Sequence, residues 1–168
     1  RYVFYNNSTF DGDDAAANAA DDNAIAPDKA PLLPGETASF ANYTSYSRGT
    51  NGIMIDVKRL PGQPTVVRDD FAFHVGNDTD IEQWDSAPDH SGFIVVSGGG
   101  DDGSDRVTVT WHDGEIVGKW LRVTVRDTGC GMDDATVAKL FTVFFSTKGS
   151  KGTGLGLPIT KKIVEEHG

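Results

Sequence analysis

The sequence predicts a mainly β protein, in which an antiparallel β-sandwich precedes a shorter α/β segment. Short runs rich in Val, Phe and Tyr recur along the first part, and Gly, Pro, Asn and Asp separate them, a pattern typical of packed antiparallel sheets. After Val125 the apolar residues adopt helical spacing instead. The charge changes nearby, since residues 1–120 carry 20 Asp and Glu against 8 Lys and Arg (−12), whereas residues 121–168 carry 5 against 7 (+2). We therefore predict an acidic β-sandwich over residues 1–121 and a second, incomplete domain over residues 122–168.

Each predicted strand is a short apolar or aromatic run between turn residues. The predicted strands are Tyr2–Tyr5, Ala38–Tyr43, Ile53–Val57, Phe71–Val75, Phe93–Val96, Val107–Trp111 and Leu121–Val125. The last two flank a His-Asp-Gly turn region with alternating apolar and polar residues, so residues 107–125 are predicted to form a hairpin. Ala15–Ala20 is the single helical candidate in this part of the chain.

Two helices are predicted after Val125. Asp133 can cap the first helix, whose apolar residues follow the spacing of one helical face, namely Val137, Leu140, Phe141 and Phe144. Pro158 suits the first position of the second helix, because the N–H group that proline lacks would be unpaired there. A strand followed by two helices makes this second part α/β in character.

Three motifs in the second part carry the chemistry. They are DTGCGM at 127–132, LFTVFFSTKGSKG at 140–152 and GTGLGLPIT at 152–160. The glycines of the third motif allow a backbone to approach a bulky anion, and the N–H groups that start the following helix favour that anion. Asp127, at the end of a strand, can accept a hydrogen bond from the amino group of a base, which would distinguish adenine from guanine. The motifs together indicate recognition of a base and of its phosphates.

Over residues 121–168 these motifs resemble the ATP-binding domain of sensor histidine kinases, within the superfamily that includes gyrase-type and MutL-type ATPases. They resemble, in order, the first glycine box, the phenylalanine box and the second glycine box of that family, and Gly149–Lys151 resembles a short ATP lid. The resemblance implies two-component signal transduction, in which an ATP-dependent phosphotransferase moves the γ-phosphoryl group of ATP to a histidine with the help of Mg²⁺.

The resemblance also implies a role for particular residues in binding ATP. Asp127 would hold the adenine amino group, Gly129 and Gly131 would shape the adenine wall, and Lys148 would lie near the phosphates. Phe144 and Phe145 would anchor the lid, and the phosphate side would be lined by Gly152, Thr153, Gly154, Leu155 and Gly156. No catalytic residue and no metal ligand is assigned. The implied partners are ATP, a response regulator and a dimerisation and phosphoacceptor domain outside this chain.

Two parts of the implied machinery are absent from the sequence. The family holds Mg²⁺ with a helical pattern like Asn-Leu-x-x-Asn-Ala, and residues 70–105 contain no such helix; the nearest similar stretch, at 15–26, lies too far upstream. No phosphoacceptor motif surrounds any of the histidines, which are His74, His90, His112 and His167. We therefore expect a partial ATP site and an inactive fragment. Both ends of the chain are expected to be truncated.

Residues 4–62 and 103–125 resemble a different group, a β-sandwich module of large exported proteins from environmental bacteria, for which no enzyme activity is known. The alternative function is therefore a non-enzymatic surface module that carries a kinase-like tail by fusion or chimeric assembly, with the junction inside the stretch WLRVTV at 120–125. The kinase-like part implies a cytoplasmic location, whereas the β-sandwich part implies export or the cell surface.

Composition excludes several other classes of function. The acidic first part would repel nucleic acid and anionic membranes, and no apolar run reaches the length of about 18 to 20 residues that spans a bilayer. A single cysteine, Cys130, excludes an internal disulfide.

Two groups of residues in the first part allow alternative interpretations. The acidic stretches Asp11, Asp13, Asp14 and Asp78, Asp80, Glu82 could bind calcium, but neither follows the EF-hand pattern, and a solvated acidic surface is predicted. Trp84, Trp111 and Trp120 could stack on a sugar, but packing in the core is predicted.

Overall fold

The structure is a computed structural model that describes residues 1–59 and 64–126. The chain divides into two units, Arg1–Arg126 and Asp127–Gly168, so the described residues belong to the first unit. The two predicted helices after Val125 lie outside the described residues. The domain boundary between residues 121 and 122 stays a prediction.

The described residues form two antiparallel sheets, in agreement with the predicted mainly β class. The strands are β1 (Tyr2–Val3), β2 (Gly52–Val57), β3 (Phe71–Gly76), β4 (Asp85–Ser86), β5 (Gly92–Val96), β6 (Asp105–Thr110) and β7 (Trp120–Val125). One sheet has the order β1-β2-β6-β5 and the other has the order β4-β3-β7. Within the described ranges the helices are short 3₁₀ turns, at Ala19–Ala24, Phe40–Asn42, Arg68–Asp70, Ile81–Gln83 and Asp101–Gly103.

The predicted hairpin over residues 107–125 is wrong, because β6 and β7 lie in different sheets. β6 pairs with β2 and β5, whereas β7 pairs with β3. The connection between them is bound to the segment before β2: Trp111 N–H donates to the Asn51 carbonyl at 3.0 Å, and Thr50 N–H donates to the Ile116 carbonyl at 2.9 Å. These backbone bonds carry the chain away from β6, so a tight turn cannot form.

The predicted strand Ala38–Tyr43 is also wrong, since the chain forms a 3₁₀ turn at Phe40–Asn42. The Asn42 side-chain oxygen accepts a hydrogen bond from Ser39 N–H at 2.8 Å, and a side chain bonded to nearby backbone in this way competes with a strand ladder. The predicted helix Ala15–Ala20 is displaced, because the helical turn occupies Ala19–Ala24 and starts after the cap Asn18.

The larger buried cluster contains apolar side chains from both sheets. In β3, Phe71, Phe73 and Val75 are buried while Ala72 between them is exposed, which is the alternation expected of a strand with one buried face. The cluster contains Ile53, Ile55, Phe71, Phe73, Val75, Val107, Val109, Trp111 and Ile116. This shared core joins the two sheets of the first unit.

Gly49 provides a test of the connection between β6 and β7. Gly49 has φ +82°, and a Cβ there would lie 2.2 Å from the Ile116 carbonyl oxygen; Gly114 has φ +80°, with no atom within 4 Å of its Cβ position. Both alanine variants carry the strain of a left-handed backbone, but only Gly49→Ala adds a clash with backbone. We expect Gly49→Ala to lose about 1–3 kcal/mol more free energy of unfolding than Gly114→Ala. Equal losses in urea titrations of the two variants would contradict this contact.

Candidate functional site

The predicted nucleotide-binding residues all lie outside the described residues. They are Asp127, Gly129, Gly131, Phe144, Phe145, Lys148, Gly152, Thr153, Gly154, Leu155 and Gly156. The chain immediately before them is a strand, because β7 ends at Val125, and Arg126 N–H then donates to the Asp70 carbonyl at 2.7 Å. The expectation that Asp127 follows a strand therefore agrees with the described part of the chain, whereas convergence of these residues on one ligand stays a prediction.

The first unit contains a second candidate region, the acidic loop (residues 6–22). Three of its side chains bind nearby backbone through one atom each. Asp11 Oδ1 accepts from Ser8 N–H at 2.9 Å, and Asp21 Oδ2 accepts from Asn18 N–H at 2.9 Å. Asn6 Nδ2 donates to the Ala15 carbonyl at 3.2 Å. These bonds fix the three side chains in position.

One oxygen of each of these three side chains is buried and has no hydrogen-bond partner among the described residues. The oxygens are Asn6 Oδ1, Asp11 Oδ2 and Asp21 Oδ1, and the three residues are 1%, 5% and 0% exposed. Buried polar atoms in folded proteins nearly always have a partner. No local sequence pattern signals this arrangement, because it depends on where the backbone of residues 15 and 18 lies.

Burial is the main cause that raises the pKa of Asp21 to about 6; the negative charges of Asp11, Asp14 and Asp22 contribute to this rise, and the hydrogen bond from Asn18 N–H opposes it. The charge of Asp11 in the same loop therefore acts on the buried carboxyl of Asp21. The predicted solvated surface is correct for the exposed residues, which are Asp13, Asp14, Asp78, Asp80 and Glu82, and wrong for the buried Asp11.

A pocket of about 540 Å³ lies beside the acidic loop, with a lining of Asn7, Ala15, Ala16, Ser91, Trp111, His112 and Asp113. Its polar side chains are largely engaged. Asp113 accepts hydrogen bonds from Asn7 and Arg48 on Oδ2, both at 2.8 Å, and from Asn51 on Oδ1 at 2.9 Å. Ser91 Oγ donates to Thr110 Oγ1 at 3.1 Å. The pocket therefore indicates no particular ligand.

The tryptophans agree with the predicted packing role better than with sugar stacking. Trp111 is 1% exposed, so its faces are closed to a ligand. Trp84 is half-buried, and its indole N–H donates to the Asp78 carbonyl at 3.0 Å. Trp120 is half-buried in β7, opposite Gly76.

The described residues hold neither a metal-binding cluster of His, Cys, Asp and Glu side chains nor a membrane-spanning helix. Among them no group of three or more His, Cys, Asp or Glu side chains is placed to hold a metal ion. None of the helices in the described ranges has the length and apolar character needed to cross a membrane.

Comparison with known proteins shows what the second part of the chain is similar to. Residues 86–168 match the family described as histidine kinase-, DNA gyrase B- and HSP90-like ATPase. Similar proteins include the sensor histidine kinase ZraS of Klebsiella oxytoca, 48% identical over 48 residues, which are 29% of this chain and 10% of ZraS. The sensor protein FixL of Bradyrhizobium diazoefficiens is 46% identical over 48 residues, 29% of this chain and 9% of FixL.

The signal transduction histidine-protein kinase AtoS of Escherichia coli is 44% identical over 45 residues, 27% of this chain and 7% of AtoS. The matches to ZraS, FixL and AtoS thus span a tenth or less of each relative's length. No solved structure matches the chain. These matches support the resemblance of the C-terminal part to histidine-kinase-type ATPases, whereas the resemblance of the N-terminal part to an exported module stays a prediction.

The family match begins earlier than the predicted second domain and extends into the first unit. Residues 86–126 include β5, β6 and β7. β6 pairs with β2 and β7 pairs with β3, both of which precede the match, and β5 pairs with β6. Val107 and Val109 are fully buried in the core that they share with Ile53 and Ile55. In this structure residues 86–126 are therefore part of the sheets of the first unit.

Proposed function

We propose that the C-terminal part of this chain is the ATP-binding portion of a sensor histidine kinase. The observation that supports the proposal most strongly is the order of three motifs, at 127–132, 140–152 and 152–160, inside the stretch that matches the ATPase family. Asp127 accepts a hydrogen bond from the adenine amino group, and the glycines from Gly152 to Gly156 allow the backbone to approach the phosphates. The reaction served is transfer of the γ-phosphoryl group of ATP to a histidine in two-component signalling.

The proposed ATP site is incomplete in this chain. The family's magnesium-holding asparagine has no counterpart in residues 86–126, which contain no asparagine. We therefore propose no Mg²⁺ ligand within residues 86–126, the part of the family match that the structure describes. The phosphoacceptor histidine, the dimerisation domain and the response regulator are proposed to belong to other chains or segments, and this fragment alone is proposed to be inactive in phosphoryl transfer.

A second candidate function is a non-enzymatic β-sandwich module, exported or at the cell surface, whose tail retains kinase-like sequence. The observation that favours it is the pairing of β6 with β2, of β5 with β6, and of β7 with β3. Strands within the family match thus complete sheets that begin before the match. We propose that the two sheets form a sandwich, because both contribute to one core, and that the kinase-like sequence joins it within β7.

Binding of a fluorescent ATP analogue to the full chain, with and without Mg²⁺, separates the two candidates. We expect saturable binding that changes little with Mg²⁺ and weakens in Asp127→Asn by about 5- to 150-fold, the equivalent of the about 1–3 kcal/mol for an unmade buried hydrogen bond. Asp69→Asn is the matched control, because Asp69 is exposed in the first unit. Absence of saturable binding, or equal binding by wild type and Asp127→Asn, would favour the non-enzymatic module.

A further inference from the structure

We propose that the acidic loop (residues 6–22) holds a calcium ion, with Asn6 Oδ1, Asp11 Oδ2 and Asp21 Oδ1 as side-chain ligands. The three oxygens are buried and have no hydrogen-bond partner among the described residues. An unpaired buried acceptor destabilises the folded state, and more so when it is charged. A cation satisfies all three at once.

In each side chain, the terminal atom beside the free oxygen is hydrogen-bonded to backbone, and this bond holds the free oxygen in place. Ser8 N–H holds Asp11, Asn18 N–H holds Asp21, and the Ala15 carbonyl holds the amide nitrogen of Asn6. Because each side chain is already anchored to backbone, the free oxygens are fixed before a ligand arrives. Such preorganisation reduces the entropic cost of binding.

Several contacts bring the three side chains into one region. The bond from Asn6 to Ala15 closes a loop that contains Asp11. Tyr5 N–H donates to the Ala24 carbonyl at 3.0 Å, so the chain just before Asn6 runs beside the 3₁₀ turn that contains Asp21. The charge of Asp11 in turn raises the pKa of Asp21. The loop thus folds back on itself around the proposed site.

The donor chemistry favours calcium over other common cations. Two carboxylate oxygens and one amide oxygen are hard ligands, and Ca²⁺ accepts six to eight oxygens in flexible geometry, including backbone carbonyls and water. Mg²⁺ requires near-ideal octahedral geometry, and Zn²⁺ prefers nitrogen and sulfur ligands. A site with two carboxylates has modest charge, so we expect a dissociation constant of about 10⁻⁴–10⁻³ M, in the range of weak calcium modules.

The full chain, first stripped of metal with EGTA, is titrated with Ca²⁺ in the absence of nucleotide by calorimetry and by thermal unfolding. We expect saturable binding and a rise in the unfolding temperature, because a ligand of the native state stabilises it. Asp11→Asn and Asp21→Asn should each weaken binding by at least about tenfold, since calcium affinity follows the charge of the ligands. Asp13→Asn, exposed in the same loop with φ 57°, should bind like the wild type.

Measurements in EGTA keep the test independent of folding. Removing one of two mutually repelling buried carboxylates should leave Asp11→Asn and Asp21→Asn at least as stable as the wild type without calcium. The proposal is overturned if Ca²⁺ up to about 10 mM, ten times the upper limit expected here, gives neither saturable heat nor a rise in unfolding temperature. It is also overturned if both variants keep wild-type affinity. Neither result depends on ATP binding by the C-terminal part.

Discussion

Trp111→Ala is expected to lower the free energy of unfolding of the first unit by about 3–5 kcal/mol, through the lost burial of the ring and the cavity that it leaves. Trp111 is 1% exposed and lies edge-on to Phe73, with ring centroids 5.4 Å apart and planes at 84°. Its indole N–H donates to the Pro88 carbonyl at 3.0 Å. One residue after β6 thus contacts both β3 and the segment before β5. Urea unfolding of the full chain, followed by far-UV circular dichroism, measures the loss.

Two control variants separate the causes of this loss. Trp111→Phe keeps an aromatic ring but removes the donor to Pro88, so it should lose less than Trp111→Ala. Val117→Ala, at a position 56% exposed in the same connection, should stay within about 0.5 kcal/mol of the wild type. If Trp111→Ala were to lose no more unfolding free energy than Val117→Ala, Trp111 would not contribute to the core that the two sheets share.

The sequence pattern was sufficient to predict most strands, but it could not predict their partners. Phe71, Phe73 and Val75 alternate with less apolar residues, so the buried face of β3 is visible in the sequence. In β6 every residue is buried. Its two faces therefore do not differ in burial, and the sequence offers no contrast from which to predict the partner strand. The pairing instead follows from the bonds of Trp111 to Asn51 and of Thr50 to Ile116. These contacts join segments far apart in sequence, and no local pattern reports them.

The candidate sites differ in the same way. The glycine-rich motifs of residues 127–160 are local, so sequence alone suggested an ATPase relationship that the family match supports. In the acidic loop, by contrast, the sequence showed only carboxylates. The burial of Asp11 and Asp21 depends on the return of the chain past Tyr5 to Ala24. Polar composition alone therefore predicted solvent exposure where the fold produces burial.

Substitution of Arg106 is expected to have the second large effect on stability, because Arg106 neutralises the carboxylate of Asp56, which is largely buried. Its Nε and Nη2 donate to the two oxygens of Asp56 at 2.8 and 2.9 Å, and its Nη1 donates to Asp22 at 3.0 Å. The side chains of Arg106 and Asp56 are each 10% exposed. We expect Arg106→Met to lose about 3–5 kcal/mol of unfolding free energy, because Asp56 would remain buried without its counter-charge.

A second substitution tests whether the unpaired charge is the cause. The double variant Arg106→Met/Asp56→Leu removes both charges and should recover most of the loss, since apolar replacements of buried ion pairs are often neutral. Arg48→Met is the control, because its pair with Asp113 is 37% and 38% exposed and should contribute at most about 1 kcal/mol. If the double variant were as unstable as Arg106→Met, packing of the arginine rather than charge would account for the loss.

The dependence of the unfolding free energy on pH tests the same ion pair independently. The hydrogen bonds from Arg106 hold the pKa of Asp56 below its usual range. A carboxyl with a lowered pKa contributes stability that is present above the unfolded value, about 3.9, and lost as the pH falls through the folded value. In Arg106→Met the unpaired, buried Asp56 has a raised pKa and takes up a proton first as the pH falls. The difference in unfolding free energy between the wild type and Arg106→Met should therefore be largest near neutral pH and shrink progressively as the pH falls to and below about 4. A difference that did not change down to pH 2 would show that Asp56 does not titrate against Arg106.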